Sequence, residues 1–130
     1  MTAIQAFALY TGLNGLLLVG LAYNVVRHRQ RSKIGLGSGT DAALERACRV
    51  HGNAVEYVPI ALVILAGLAL SSVSALVIHA LGICLTLGRI LHAWGLSSSA
   101  GTSMGRVVGT LFTWISVAVG SGWLIWTAVS

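Results

Sequence analysis

Charge is scarce in this sequence. Only 8% of its 130 residues are Asp, Glu, Lys or Arg, and only three are acidic, whereas 56% are hydrophobic. A soluble domain needs about a quarter of its residues charged, so the composition excludes the soluble classes. Cysteine is equally sparse. Cys48 and Cys84 are the only two, and both fall inside long apolar runs. That pattern excludes a disulfide framework and a cysteine metal site, and each thiol is expected as a small buried hydrophobe. There is no serine, histidine and acid arrangement for nucleophilic catalysis, no clustered metal-ligand spacing, no phosphate-cradling glycine loop and no aromatic-basic nucleic-acid surface.

What is present is apolar length. Four runs, about 4–26, 44–70, 74–94 and 107–127, are each long enough at 1.5 Å per residue to cross about 30 Å of hydrocarbon. They predict an all-α, integral-membrane four-helix bundle. Residues 1–130 form one domain, because the polar connections are too short to fold independently. The first run has no basic residues before it and several after it, so it is expected to stay in the mature protein rather than act as a signal peptide.

The net charge of +5 is a topology signal rather than a nucleic-acid one. Arg27, Arg29, Arg31 and Lys33 follow the first run, Arg46 and Arg49 open the second, and Arg89 and Arg106 bracket the connection between the third and fourth. All fall on one side of a four-span topology. The positive-inside rule places connections 27–43 and 95–106 in the cytoplasm and both termini outside. The first connection, with Gly35, Gly37 and Gly39, reads as a mobile loop, and Thr40 or Asp41 is expected to cap the second helix.

Residues 45–59 pose the main question. At 100° per residue, Glu45, Arg49, Asn53 and Glu56 fall within an arc of about 80°, with Arg46 and Tyr57 at its edge. Charge is expensive in a span, so this polar stripe requires a reason. Glu56 lies about 16 Å along the axis from Glu45 and needs a partner, for which Arg49 and Asn53 are the local candidates. Arg89 and His92, three apart, share a face of the third helix. On the fourth, Gly105 and Gly109 suit close helix contact. Asn14, near mid-membrane, needs a hydrogen-bond partner in the protein.

Collected at the basic end are Arg27, Arg46, Arg49, Asn53, Glu56, Arg89, His92 and Arg106. Arginines take carboxylates through a bidentate fork, and Glu56 with Asn53 can orient an amine or amide. A small zwitterion with two carboxylates, such as glutathione, matches that inventory. An arginine near its thiol would favour the reactive thiolate, so cofactor-thiol chemistry suits the chain better than a protein nucleophile.

Arg49-x-x-x-Asn53-x-x-Glu56-Tyr57-x-Pro59, preceded by Glu45-Arg46, resembles the signature of the MAPEG family, the membrane-associated proteins in eicosanoid and glutathione metabolism. Gly88-Arg89-x-x-His92 resembles that family's third-helix motif. The resemblance implies a homotrimer embedded in membrane lipids, with glutathione as co-substrate bound between subunits near the cytoplasmic side. It implies glutathione contacts from Arg49, Asn53, Glu56, Tyr57, Arg89 and His92, with Arg27 as a looser match, and Arg106 as the thiol-activating residue. Leu96 stands where the eicosanoid-synthesising branches commonly carry tyrosine. That favours a prokaryotic-type member resembling microsomal glutathione transferase, acting as transferase or peroxidase on a hydrophobic electrophile. Two other readings stay open: a proton-coupled transporter using Glu56, and a glutathione- or lipid-binding member without catalysis.

Overall fold

Short polar side chains write the helix starts. In the computed structural model, which describes residues 1–99 and 101–130, Thr2 and Gln5 form a reciprocal capping box at the start of helix α1, Ala3–Ser32. Asp41 opens α2, Ala42–Leu70, its carboxylate accepting from the backbone N–H of Ala43 at 2.9 Å and Leu44 at 3.0 Å. Helix α3 is Ala75–Ser98, and Ser103 caps α4, Met104–Val129. All four helices are long and apolar enough to cross a membrane, and the chain is an integral membrane protein with four spans.

The first helix continues past the apolar run that foretold it. Arg27 to Ser32 remain helical, since arginine and glutamine are good helix formers and the macrodipole favours cations at the C-terminal end. The connection is therefore shorter than 27–43 and is pinned. Arg29 donates to the carbonyls of Ile34, Gly35 and Gly37 at 3.4, 3.3 and 2.8 Å. Lys33, Gly37 and Gly39 take left-handed backbone conformations to make the turn. Asp41 also accepts from the Ser32 hydroxyl, tying the two helix ends together. That hydroxyl first, and then the Leu44 amide, hold its carboxyl below the usual carboxylate range.

Packing follows the small residues. Helix α1 lies against α2 and α3, and α4 against α3 and α2, while α1 and α4 do not meet among the described residues. The α3–α4 contact is closest. A methyl group on Gly95 would come within 2.5 Å of the Arg106 amide nitrogen, and one on Gly109 within 2.5 Å of the Gly88 carbonyl oxygen. The expected close contact at Gly105 and Gly109 is thus observed, against the backbone of α3. The glycines of α1 behave differently: Gly12, Gly15 and Gly20 have open space beside them within the chain.

The larger core cluster occupies the half away from the basic residues, and a smaller one, Val50, Ala93 and Leu96, lies toward the basic end. In the larger, Ala61, Ile64, Leu65 and Leu68 of α2 meet Ile78, Leu81 and Leu85 of α3 and Ala6 of α1. A polar seam runs beside it. The Tyr10 hydroxyl and His79 Nδ1 are 2.9 Å apart, and Asn14 Nδ2 donates to Thr86 Oγ1 and to the Tyr10 carbonyl, each at 2.9 Å. Gly82 provides the room for the Tyr10 ring. The thiols depart from the expected apolar burial: both are half-buried, Cys84 donates to the Phe112 carbonyl and Cys48 accepts from Arg29.

Candidate functional site

The basic end of the bundle is hollow where the other end is packed. A cavity of about 340 Å³ is lined by Ala42, Glu45, Arg46, Arg49 and Asn53 of α2, His92 and Leu96 of α3, and Arg106 of α4. Three guanidiniums face it against one carboxylate, so its field favours an anion. The stripe on α2 forms one wall because Leu44, Ala47, Val50 and Ala54, on the opposite side of that helix, are buried.

A second cavity, about 290 Å³, adjoins the first. Its lining is His92, Thr102, Arg106, Val107, Thr110, Leu111 and Trp114. His92 and Arg106 belong to both cavities and form the partition between them. The second space is mainly apolar and faces outward, since Val107, Leu111 and Trp114 remain exposed on the bundle surface, Trp114 by 52%.

Arg106 is delivered by the tight α3–α4 connection. Ser103 donates its hydroxyl to the Gly95 carbonyl at 2.9 Å and accepts from the Arg106 amide at 3.4 Å. The Arg106 side chain donates through Nη1 to the Gly101 carbonyl at 2.8 Å, leaving further N–H groups for a ligand.

A side-chain network centred on the buried Arg89 connects three helices. Arg89 is only 1% exposed, and its Nη2 donates to Asn53 Oδ1 at 2.8 Å. The same nitrogen lies 3.5 Å from His92 Nδ1, and the guanidinium sits 5.9 Å from the centre of the Tyr57 ring. Trp114 Nε1 donates to the Tyr57 hydroxyl at 3.3 Å. Arg89 Nε is buried without a partner.

Of the eight residues to which the family resemblance assigns a role, Arg49, Asn53, His92 and Arg106 come together on the first cavity. Arg89 stands behind it, and Tyr57 is half-buried between Arg89 and Trp114. Glu56 is exposed on the outer surface of α2, and the Asn53 oxygen is taken by Arg89 rather than by a partner on its own helix. Arg27 is exposed at the end of α1, where it donates to Asn24 Oδ1 at 3.4 Å, outside both cavities. Glu45 and Arg46, on and at the edge of the α2 stripe, also line the first cavity. The apolar lining went unread, although Val107, Leu111 and Trp114, four and then three apart, carry the signal of one helix face.

Comparison with known proteins agrees with these features. The inner membrane protein YecN of Escherichia coli K12 is 40% identical to the chain over 88 residues, covering 68% of this chain and 67% of YecN. YecN of Escherichia coli O6:H1 matches to the same extent. The MAPEG family model matches residues 7–126, nearly the whole four-helix bundle, and the chain belongs to the MAPEG family.

Proposed function

We propose that the protein is an inner-membrane glutathione transferase that joins the glutathione thiolate to an apolar electrophile drawn from the bilayer. The observation that carries this reading is the pair of cavities sharing one wall. One is polar and arginine-rich, the other apolar and outward-facing, and Arg106 stands in the partition. A polar thiol and an apolar electrophile seated on either side of such a wall meet at Arg106 and His92.

In this reading Arg46 and Arg49 take carboxylates of glutathione, and Asn53 binds its peptide groups. Arg106 holds the sulfur as thiolate, the form that reacts, and the thiol proton leaves to water. A sulfur lone pair then forms the carbon–sulfur bond. The leaving group departs with the electrons of the bond it breaks. At about 340 Å³, the first cavity lies within the range of roughly 300–1,000 Å³ typical of small-molecule sites.

Glu56 is exposed on the outer face of α2, within a membrane span. Charged groups facing lipid cost several kcal/mol, so this face is better covered by a second copy of the chain, as in a homotrimer. A neighbour seated there would also bring its own groups toward Glu56, Tyr57 and the cavity mouth, and an Arg27 from an adjacent copy would fit the same scheme.

The test is turnover. Purified protein in lipid nanodiscs is given glutathione and a chlorodinitrobenzene, and release of the conjugate is followed. Saturable conjugation, strongly slowed in Arg106→Ala, is expected. A rate no higher than that of empty nanodiscs across a panel of apolar electrophiles would remove the transferase reading.

A further inference from the structure

The partition between the two cavities contains a second group besides Arg106, and its chemistry is fixed from behind. His92 is 5% exposed and lines both cavities. Its Nδ1 lies 3.5 Å from Arg89 Nη2. A guanidinium has five donors and no acceptor, so in that contact Nδ1 must supply the lone pair. A neutral imidazole with its lone pair at Nδ1 carries its proton on Nε2. That tautomer leaves Nε2–H as the one N–H donor of the ring, on a residue that lines both cavities.

Building on the proposed transferase reading, we infer that His92 is a further catalytic residue, whose Nε2–H donates to the glutathione sulfur and shares with Arg106 the stabilisation of the thiolate. Arg89 is its positioning residue. It touches neither cavity, is 1% exposed, and holds Asn53 through the same nitrogen that faces His92. With its Oδ1 taken by Arg89, Asn53 has its Nδ2 donors left, so the α2 and α3 walls present N–H groups to the ligand at both positions.

The role is that of a donor and not a base. When the thiol ionises, its proton passes to bulk water, and the electron pair stays on sulfur. His92 enters and leaves the step with the same proton. The charged groups facing the same space are Glu45, Arg46 and Arg49 from α2 and Arg106 from α4. Of these, only Arg106 shares the partition with His92. Donors aimed at a forming or persisting anion in a site shielded from water stabilise it far more than solvent-exposed ones.

The experiment reads the ionisation of bound glutathione. Its thiolate absorbance is titrated against pH in the wild-type protein, His92→Phe and His92→Gln, with glutathione affinity measured on each. The phenyl ring removes the donor at similar volume, and the glutamine amide keeps an N–H near the Nε2 position. His92→Phe is expected to raise the pKa of the bound thiol by about one unit, a tenfold loss of thiolate below that pKa, with affinity changed less than threefold. His92→Gln is expected to stay within a few tenths of a unit of wild type. Arg89→Lys keeps the charge but loses the planar fork. It is expected to raise the thiol pKa when His92 is present and to add nothing to His92→Phe.

An unchanged thiol pKa in His92→Phe overturns the assignment while leaving the transferase reading intact. Loss of glutathione affinity in both His92 variants overturns it too, by making the residue structural. An Arg89→Lys shift that adds fully to His92→Phe removes Arg89 from the scheme. Absence of glutathione binding to the wild-type protein overturns the functional reading itself, and this assignment with it.

Discussion

The two halves of the bundle both hold polar side chains inside a membrane span, and they use them differently. In the half away from the basic residues, Tyr10 meets His79 and Asn14 meets Thr86 between α1 and α3, Asn14 also donates to the Tyr10 carbonyl within α1, and a packed apolar core lies beside them. At the basic end, Arg49, Asn53, His92 and Arg106 converge on the first cavity, backed by the buried Arg89. Among the described residues, each half has one buried side-chain atom without a partner, Asn14 Oδ1 and Arg89 Nε. The difference lies in where the remaining donors point. Polar groups that satisfy one another hold helices together; polar groups left facing a cavity are available to a ligand.

Removing donors from the hollow half should therefore damage function and spare the fold. The largest effect is expected for Arg106→Ala, which should lower the conjugation rate constant on the order of a hundredfold to a thousandfold, as for loss of one anion-stabilising donor. Glutathione affinity should change far less, a split that steady-state kinetics with a binding isotherm resolves. A fall in affinity as large as the fall in rate would make Arg106 a binding residue. Next is Arg49→Ala, where loss of a charge-assisted contact worth about 1.5–3 kcal/mol should weaken glutathione binding roughly tenfold to a hundredfold. The midpoint of thermal unfolding should hardly move.

The packed half should give the opposite result. Tyr10→Phe deletes the bond to His79 while keeping the ring against Gly82, and is expected to cost about 1 kcal/mol of stability with glutathione affinity unchanged. A shift in affinity there would mean that the seam transmits to the site. The smallest effect concerns the cap of α2. The Asp41 carboxyl lies below its ordinary pKa of 3.8, so its contribution is fully present above that value and is lost as pH falls through the lower folded-state value. Acid unfolding of Asp41→Asn should accordingly show a weaker pH dependence below about pH 4 than the wild type.

Much of this contrast could be read from the sequence. The four apolar runs located the helices, and the 100° wheel put Glu45, Arg49 and Asn53 on one face, all of which line the first cavity. The wheel gives a direction, but not what lies in that direction. Arg89 and His92 are three residues apart on one face, yet the long arginine side chain carries its head back to Asn53 while the shorter imidazole stays at the cavity wall. Glu56 shares the α2 stripe but lies deeper in the span, beyond the cavity, and its environment depends on neighbours that a single chain does not specify. The extension of α1 to Ser32 escaped notice for another reason. An apolar run marks where lipid ends, and an arginine-rich helix continues past that point.

Calorimetric titration of glutathione into the purified protein, alongside Arg49→Ala and Tyr10→Phe, tests the central claim most directly. Saturable binding in the wild type and in Tyr10→Phe, with marked weakening in Arg49→Ala, is the predicted result. No binding to the wild type, or equal weakening in both variants, would contradict the assignment of the hollow half to ligand and the packed half to structure.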